Sequence, residues 1–267
     1  MRFGVITLQD APWPELIERW RSLEELGIDT IWVADHLAGP TGSVWFEAWT
    51  CVATLAHVTT RPRIGPLVSP MTYRNAGILA RTALTLTEIS GGRLELGIGS
   101  GASAIDHEIA HVPAWSPKER AALFVEWVEH LLEALAHERL EPKQPIPLTI
   151  AGGGPTICCL AAQYADRWNT FGGVGLSAEE GLAKARRDNE RLDDFCAETG
   201  RTVLRSALIG HPFIAETPFR SEEAFHEFVG RWEEAGFDEL VLYYPWDWHM
   251  PRGSVQAGLA ERMLGKG

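Results

Sequence analysis

"RIGPLVSPMTYRNAGILARTALTLTEISGGRLELGIGSG", residues 63–101, decides how this chain folds. "RIGPLVS" reads as a short apolar strand, "NAGILARTALTLTEIS" as a helix, and "RLELGIG" as a second strand ending in glycines. Upstream, strand-like "RFGVITL" precedes "PELIERWRSLEELG", where Leu16, Ile17, Trp20, Leu23 and Leu26 fall at helical spacing and Gly27 stops the helix. "TIWVAD" then precedes the helical "FEAWTCVATLAHVT". Downstream comes "SPKERAALFVEWVEHLLEALAHE", with Ser116 as cap, Pro117 at the first helical position and Glu119 three residues after the cap.

The same rhythm continues to the end. "IPLTIAG" precedes "PTICCLAAQYA", "RWNTFG" precedes "SAEEGLAKARRDNERLDDFCAETG", "TVLRSALIGH" precedes "SEEAFHEFVGRWEEAG", and "ELVLYYP" precedes "VQAGLAERMLG". Mostly continuous apolar strands separated by amphipathic helices imply parallel pairing buried on both faces. Eight strand–helix units in 267 residues fit an α/β fold of the (β/α)8 TIM-barrel type, a single domain over 1–267 with no linker and no sequence repeat.

Composition narrows the function. Hydrophobic residues at 45% and charged residues at 22% are ordinary globular values. A formal net charge of -12, with no run of Lys or Arg, argues against nucleic acid or an anionic membrane as partner. "MRFGVITLQDAPWP" is too short in its apolar part for a secretory segment, and no later stretch approaches the roughly eighteen apolar residues of a membrane span. A cytoplasmic protein is expected. Cys51, Cys158, Cys159 and Cys196 lack C-x-x-C spacing and read as buried free thiols.

Residues 92–113, "GRLELGIGSGASAIDHEIAHVP", carry three incompatible signatures. A methyltransferase would want its glycine loop after the first strand of a doubly wound fold, whereas this one follows the fourth. His107-Glu108-Ile109-Ala110-His111 spells the H-E-x-x-H of a zinc hydrolase, with Glu126 available as a further ligand. Yet Pro113 leaves barely two helical turns, and Ala114 and Lys118 stand where the extended motif wants Gly and His. Ser100 lacks the flanking glycines of a serine-hydrolase elbow. The third signature is a strand-to-helix loop in a cofactor-binding barrel, where chemistry sits after the strands.

The segments "IWVADHL", residues 63–101, "PLTIAGGGPT", "YADRWNTFG" and "EEAGFDELVLY", taken in that order, resemble the bacterial-luciferase-like family of flavin- and F420-dependent oxidoreductases over nearly the whole chain. The resemblance implies an oxidoreductase or monooxygenase using reduced FMN or coenzyme F420 on a small organic substrate. A separate flavin reductase and a homo-oligomer are its further implications. Asp35 and His36 match the family's acid–histidine pair after the second strand, and are the expected catalytic residues. A non-proline cis peptide is expected near Pro66-Leu67-Val68, so that Pro66, Leu67, Val68 and Ser69 meet the cofactor ring. Its anionic tail is expected between Gly99, Ser100, Gly101 and Ala102 on one side and Gly152, Gly153, Gly154 and Thr156 on the other, next to a helix N-terminus. No metal is expected.

Two departures stand out. Ala102 and Ser103 occupy the region where some F420-dependent sugar-oxidising relatives carry a glutamate, and "HERLEPKQPIP" is a short connection for the family. Trp45, Trp168, Tyr243, Trp246 and Trp248 are candidates to wall the substrate. The competing classes are the zinc hydrolase and a flavin-binding barrel without catalysis.

Overall fold

The computed structural model describes residues 1–39, 44–140, 143–171, 176–209, 218–244 and 255–265, without the side chains of 255–257. Trp246 and Trp248 lie outside this set. The strands are β1 (Arg2–Thr7), β2 (Thr30–Val33), β3 (Arg63–Pro66), β4 (Ser69–Pro70), β5 (Leu96–Gly99), β6 (Leu148–Ala151), β7 (Arg167–Phe171), β8 (Leu204–Ile209) and β9 (Glu239–Tyr244). Every pairing among them is parallel, in the order β3-β2-β1-β9-β8-β7-β6-β5-β4. β3 and β4 are two pieces of one barrel strand, interrupted at a cis Leu67–Val68 peptide bond, so the two ends of the sheet meet. An Ile64–Leu94 bridge helps close the ring. The result is the eight-stranded barrel expected from the sequence.

The helices follow: α1 (Trp13–Glu25), α2 (Ala48–Val58), α3 (Ala76–Ile89), α4 (Ala104–Ile109), α5 (Pro117–Ala136), α6 (Pro155–Tyr164), α7 (Ala178–Thr199), α8 (Glu222–Glu234) and α9 (Val255–Leu264). Their starts have local causes. Ser116 and Glu119 form the expected capping box on α5, and Ser177 with Glu180 repeats it on α7. In α1, Leu16, Trp20 and Leu23 are buried against the barrel, while Ile17 and Leu26 are only partly covered. Each such apolar side chain contributes about 1.5–3 kcal/mol when fully buried.

Inside the barrel the layers differ by height. Glu95, just ahead of β5, and Arg167 and Glu239, the first residues of β7 and β9, fill the end where the strands begin. Arg167 donates to Glu95 at 2.5 and 3.1 Å and pairs with Glu239; Arg63 and Thr149 complete the cluster on Glu95. Buried ions without such partners would be prohibitively costly. Above it Ile6, Trp32, Ala34, Leu67 and Val241 form an apolar plug. Where β5 passes the interrupted strand, side chains do not fit: a Cβ on Gly97 would stand 2.1 Å from the Pro66 carbonyl oxygen. The glycines of "LGIG" therefore first serve close strand packing. That leaves the C-terminal ends of the strands open.

Candidate functional site

A cavity of about 310 Å³ opens over those ends, near the lower bound of the usual size of ligand pockets. Asp35 and His36 beyond β2, Leu67 and Val68 at the cis bond, Gly99 to Ala102 after β5, and Gly152 after β6 all line it. These are the residues the sequence assigned to catalysis and to the cofactor. Five of the predicted set do not reach it: Pro66 is held in β3, Ser69 is buried behind the wall, and Gly153, Gly154 and Thr156 lie beyond its rim. Two other hollows, of about 290 and 420 Å³, lie in the helix layer beside α3 and α5 and contain none of the predicted residues.

The acid–histidine pair has a different acid. Asp35 and His36 both border the cavity, but they bond different partners. Asp35 turns back into the wall, where Arg74 binds it at 2.6 and 2.9 Å, the Ser69 hydroxyl donates at 2.8 Å, and the Tyr73 hydroxyl donates to its backbone carbonyl at 2.5 Å. Burial pushes its carboxyl up and the Arg74 guanidinium pulls against that shift. Asp35 thus anchors the end of the second strand to residues 69–74.

His36 instead meets Asp106, in the first turn of α4. Nδ1 lies 2.6 Å from Asp106 Oδ2, and the Leu37 amide donates to Oδ1 at 2.9 Å. The Asp106 side chain is 3% exposed and that of His36 is 46%, so the histidine is half open rather than buried. Burial alone would raise the Asp106 carboxyl, but the His36 ring, the Leu37 amide and Ser103 outweigh it and hold it below its ordinary range. An ionised carboxylate can only accept, which places a proton on Nδ1; in the neutral ring Nε2 is then the acceptor, on a side chain that lines the cavity. Trp45 stands edge-on to that ring at 6.0 Å.

Sequence reasoning missed Asp106, Thr72, Tyr73, Asn169, Phe171 and Leu208, all of which line the cavity. For Asp106 a signal existed: Ser103 accepts from its amide as an N-cap, the S-x-x-D pattern of a helix start. Thr72 Oγ1 is buried with no hydrogen-bond partner among the described residues. Of the aromatic candidates, Tyr243 packs against the interior plug and burial pushes its phenol up to about 12. Trp168 is fully buried in the layer between barrel and helices, donating to the Gly152 carbonyl, and walls no substrate.

The zinc signature does not assemble. His107 is buried against Trp115, whereas His111 lies past the end of α4 at φ 52° and is exposed, as is Glu126. Among the described residues no group of three His, Cys, Asp or Glu side chains is placed to hold a metal. None of the helices described is long and apolar enough to cross a membrane.

The Gly152–Gly154 loop leads into α6, whose N-cap Gly154 leaves the first-turn amides without a side-chain partner. Behind it Arg191 of α7 donates to the Gly153 carbonyl at 2.6 Å and to Asp188 at 3.1 Å, and Lys184 binds Asp188 at 2.7 Å. Lys184 and Arg191 are thus the cations next to this loop, and both are bonded to the Asp188 carboxylate.

A family model described as luciferase-like monooxygenase matches residues 1–263. F420-dependent glucose-6-phosphate dehydrogenases from Amycolatopsis mediterranei and Kineococcus radiotolerans are 28% and 27% identical over 212 and 204 residues, covering 67% and 64% of this chain and 62% and 58% of theirs. The chain thus spans about three fifths of the length of these curated relatives. Among solved structures, an F420-dependent secondary alcohol dehydrogenase bound to an F420–acetone adduct superposes with a TM-score of 0.74 at 16% identity, over 91% of this chain and 92% of that one. The F420-dependent tetrahydromethanopterin reductase of Methanopyrus kandleri gives 0.72 at 15%, over 98% and 97%. At these identities the structural likeness is one of fold.

Proposed function

Because this chain belongs to the luciferase-like monooxygenase family, we propose that it is an oxidoreductase that binds coenzyme F420 at the C-terminal mouth of the barrel and acts on a small organic substrate. The observation that carries the reading is the His36–Asp106 pair on the wall of the cavity. The F420-dependent relatives favour F420 over FMN.

The cavity fits part of a flat cofactor. Leu67, Val68, Phe171 and Leu208 offer apolar surface, the Thr72 hydroxyl, without a partner among the described residues, offers one hydrogen bond, and Gly152 lines the cavity on the side of the loop that leads to α6. Its anionic tail would rest there, on the first-turn amides of α6 beside Arg191. When bound, the cofactor supplies the hydride chemistry, which no side chain can. The protein does the rest. His36 Nε2 accepts or returns the proton of a substrate oxygen, Asp106 fixes the ring's tautomer and direction, and the apolar walls exclude water. Asp35 holds the strand end that carries His36.

The reading takes residues 1–267 as one barrel unit in the cytoplasm, supported by the described cysteines being free thiols. It needs no flavin reductase, which FMN-based oxygen chemistry would require, and it allows a homo-oligomer, which a sedimentation measurement would show. His36→Ala tests it: cofactor binding is retained and turnover falls by about a hundredfold or more. Unchanged turnover removes the assignment. A binding barrel without catalysis would have no use for an oriented, half-open imidazole.

A further inference from the structure

A buried anion needs cations or several aimed N–H groups to replace its water. The described residues that line the cavity include two carboxylates, Asp35 and Asp106, one histidine, and no Lys or Arg. The guanidinium next to it, Arg74, is spent: it bonds both Asp35 oxygens and Glu47 Oε1 at 2.7 Å, one cation between two carboxylates. The sequence extends the pattern to the loops after the strands. Residues 34–47, 100–116, 152–154 and 172–177 contain no Lys or Arg, and residues 210–221 and 245–254 contribute only Arg220 and Arg252. Lys184 and Arg191 stand on the far wall, behind Phe171 and Gly153, each tied to Asp188.

Charge is therefore divided along the cavity. The cations gather where a cofactor tail would end, and the His36 end is acidic and apolar. Anything that hydrogen-bonds Nε2 sits one imidazole ring away from the ionised Asp106 carboxylate, in surroundings built from Leu67, Val68, Tyr73 and Trp45. A phosphate or carboxylate there meets like charge, and no Lys or Arg among the described residues lines the cavity beside it.

We infer that the substrate of this site is uncharged: a compact alcohol or carbonyl compound with an apolar body and one oxygen that meets His36 Nε2. The inference rests on the cavity being the active site, as proposed above, and it departs from the sugar phosphate named for the sequence relatives.

The test compares cyclohexanol, cyclohexanone and butan-2-ol with glucose 6-phosphate and lactate. On protein saturated with F420, the best neutral compound is expected to exceed both anions in kcat/KM by about a hundredfold or more, with little change between low and high salt. Glucose 6-phosphate as the best substrate, with a KM that rises with salt, overturns the inference. A second arm does not depend on F420. On cofactor-free protein, cyclohexanone is expected to change the tryptophan fluorescence by an amount that disappears in Trp45→Phe, and glucose 6-phosphate is not. A Trp45-dependent response to glucose 6-phosphate alone also overturns it. Failure of F420 to bind, with the second arm positive for cyclohexanone, fails the functional reading and leaves the charge assignment standing.

Discussion

Asp106→Asn separates an oriented histidine from one that merely lies in the cavity. The native contact is a 2.6 Å hydrogen bond between Nδ1 and a carboxylate that is 3% exposed, with the Leu37 amide on the other oxygen at 2.9 Å. Hydrogen bonds to charged groups contribute about 1.5–3 kcal/mol. In the variant the amide oxygen keeps the Leu37 N–H and the NH2 group turns to the imidazole. Nδ1 must then accept, the proton moves to Nε2, and the cavity faces a donor where it needs an acceptor. The rate lost is that of one general acid–base group in the wrong state, about a hundred- to a thousandfold in kcat, or roughly 2.7–4 kcal/mol. F420 affinity is expected to stay within about twofold, since the Asp106 side chain borders the cavity with only 3% of its surface exposed. Steady-state turnover followed at the cofactor's absorption band, with a double-mutant cycle, reads the effect. In a His36→Ala background the same substitution should change kcat by less than about twofold, because no ring remains to orient. An equal loss in both backgrounds, or none in the wild type, refutes the orientation argument.

Four further outcomes follow from the same geometry. The Asp106 carboxyl is held below its ordinary value, so its contribution to stability is present above the unfolded value of about 3.9 and is lost as pH falls through the folded value; denaturation of the wild type should therefore steepen below about pH 4 more than that of Asp106→Asn. Arg74→Leu leaves Asp35 buried without its cation and should cost about 3–5 kcal/mol in urea unfolding, most of it recovered by adding Asp35→Asn. His107→Ala should destabilise by about 1–3 kcal/mol because its ring is buried, and His111→Ala by less than about 0.5 kcal/mol. Elemental analysis of the purified protein should show no stoichiometric zinc, and zinc lost on either substitution would revive the hydrolase reading.

What could be read in the sequence was what is encoded locally. Helical spacing in α1, the Ser116–Glu119 capping box and the glycine stop at Gly27 are each set by neighbours within a few residues, and they give the eight units and hence the barrel. Family resemblance placed the cis bond close to where it lies, at Leu67–Val68. The site was harder because its pairings are long-range. Asp106 is 70 residues from His36 and belongs to a six-residue helix that the H-E-x-x-H pattern disguised. That pattern assumes a continuing helix, whereas α4 ends at Ile109 and His111 turns left-handed. Asp35 and His36 were paired by the family resemblance, whereas the partners each side chain bonds, Arg74 and Asp106, lie 39 and 70 residues away in sequence. Trp168 looked like a mouth aromatic because it is near a strand end, but strand alternation turns it outward, under the helices.

The proposed arrangement is F420 in the cavity over the strand ends, with His36, set by Asp106, working on what lies beside it. Fluorescence titration of wild type and His36→Ala with F420, in parallel with FMN and with zinc, tests it most directly. Saturable one-to-one F420 binding by both proteins, weaker FMN binding, no zinc uptake, and turnover only in the wild type is the result predicted. Stoichiometric zinc without F420 binding, or turnover that survives in His36→Ala, would contradict it.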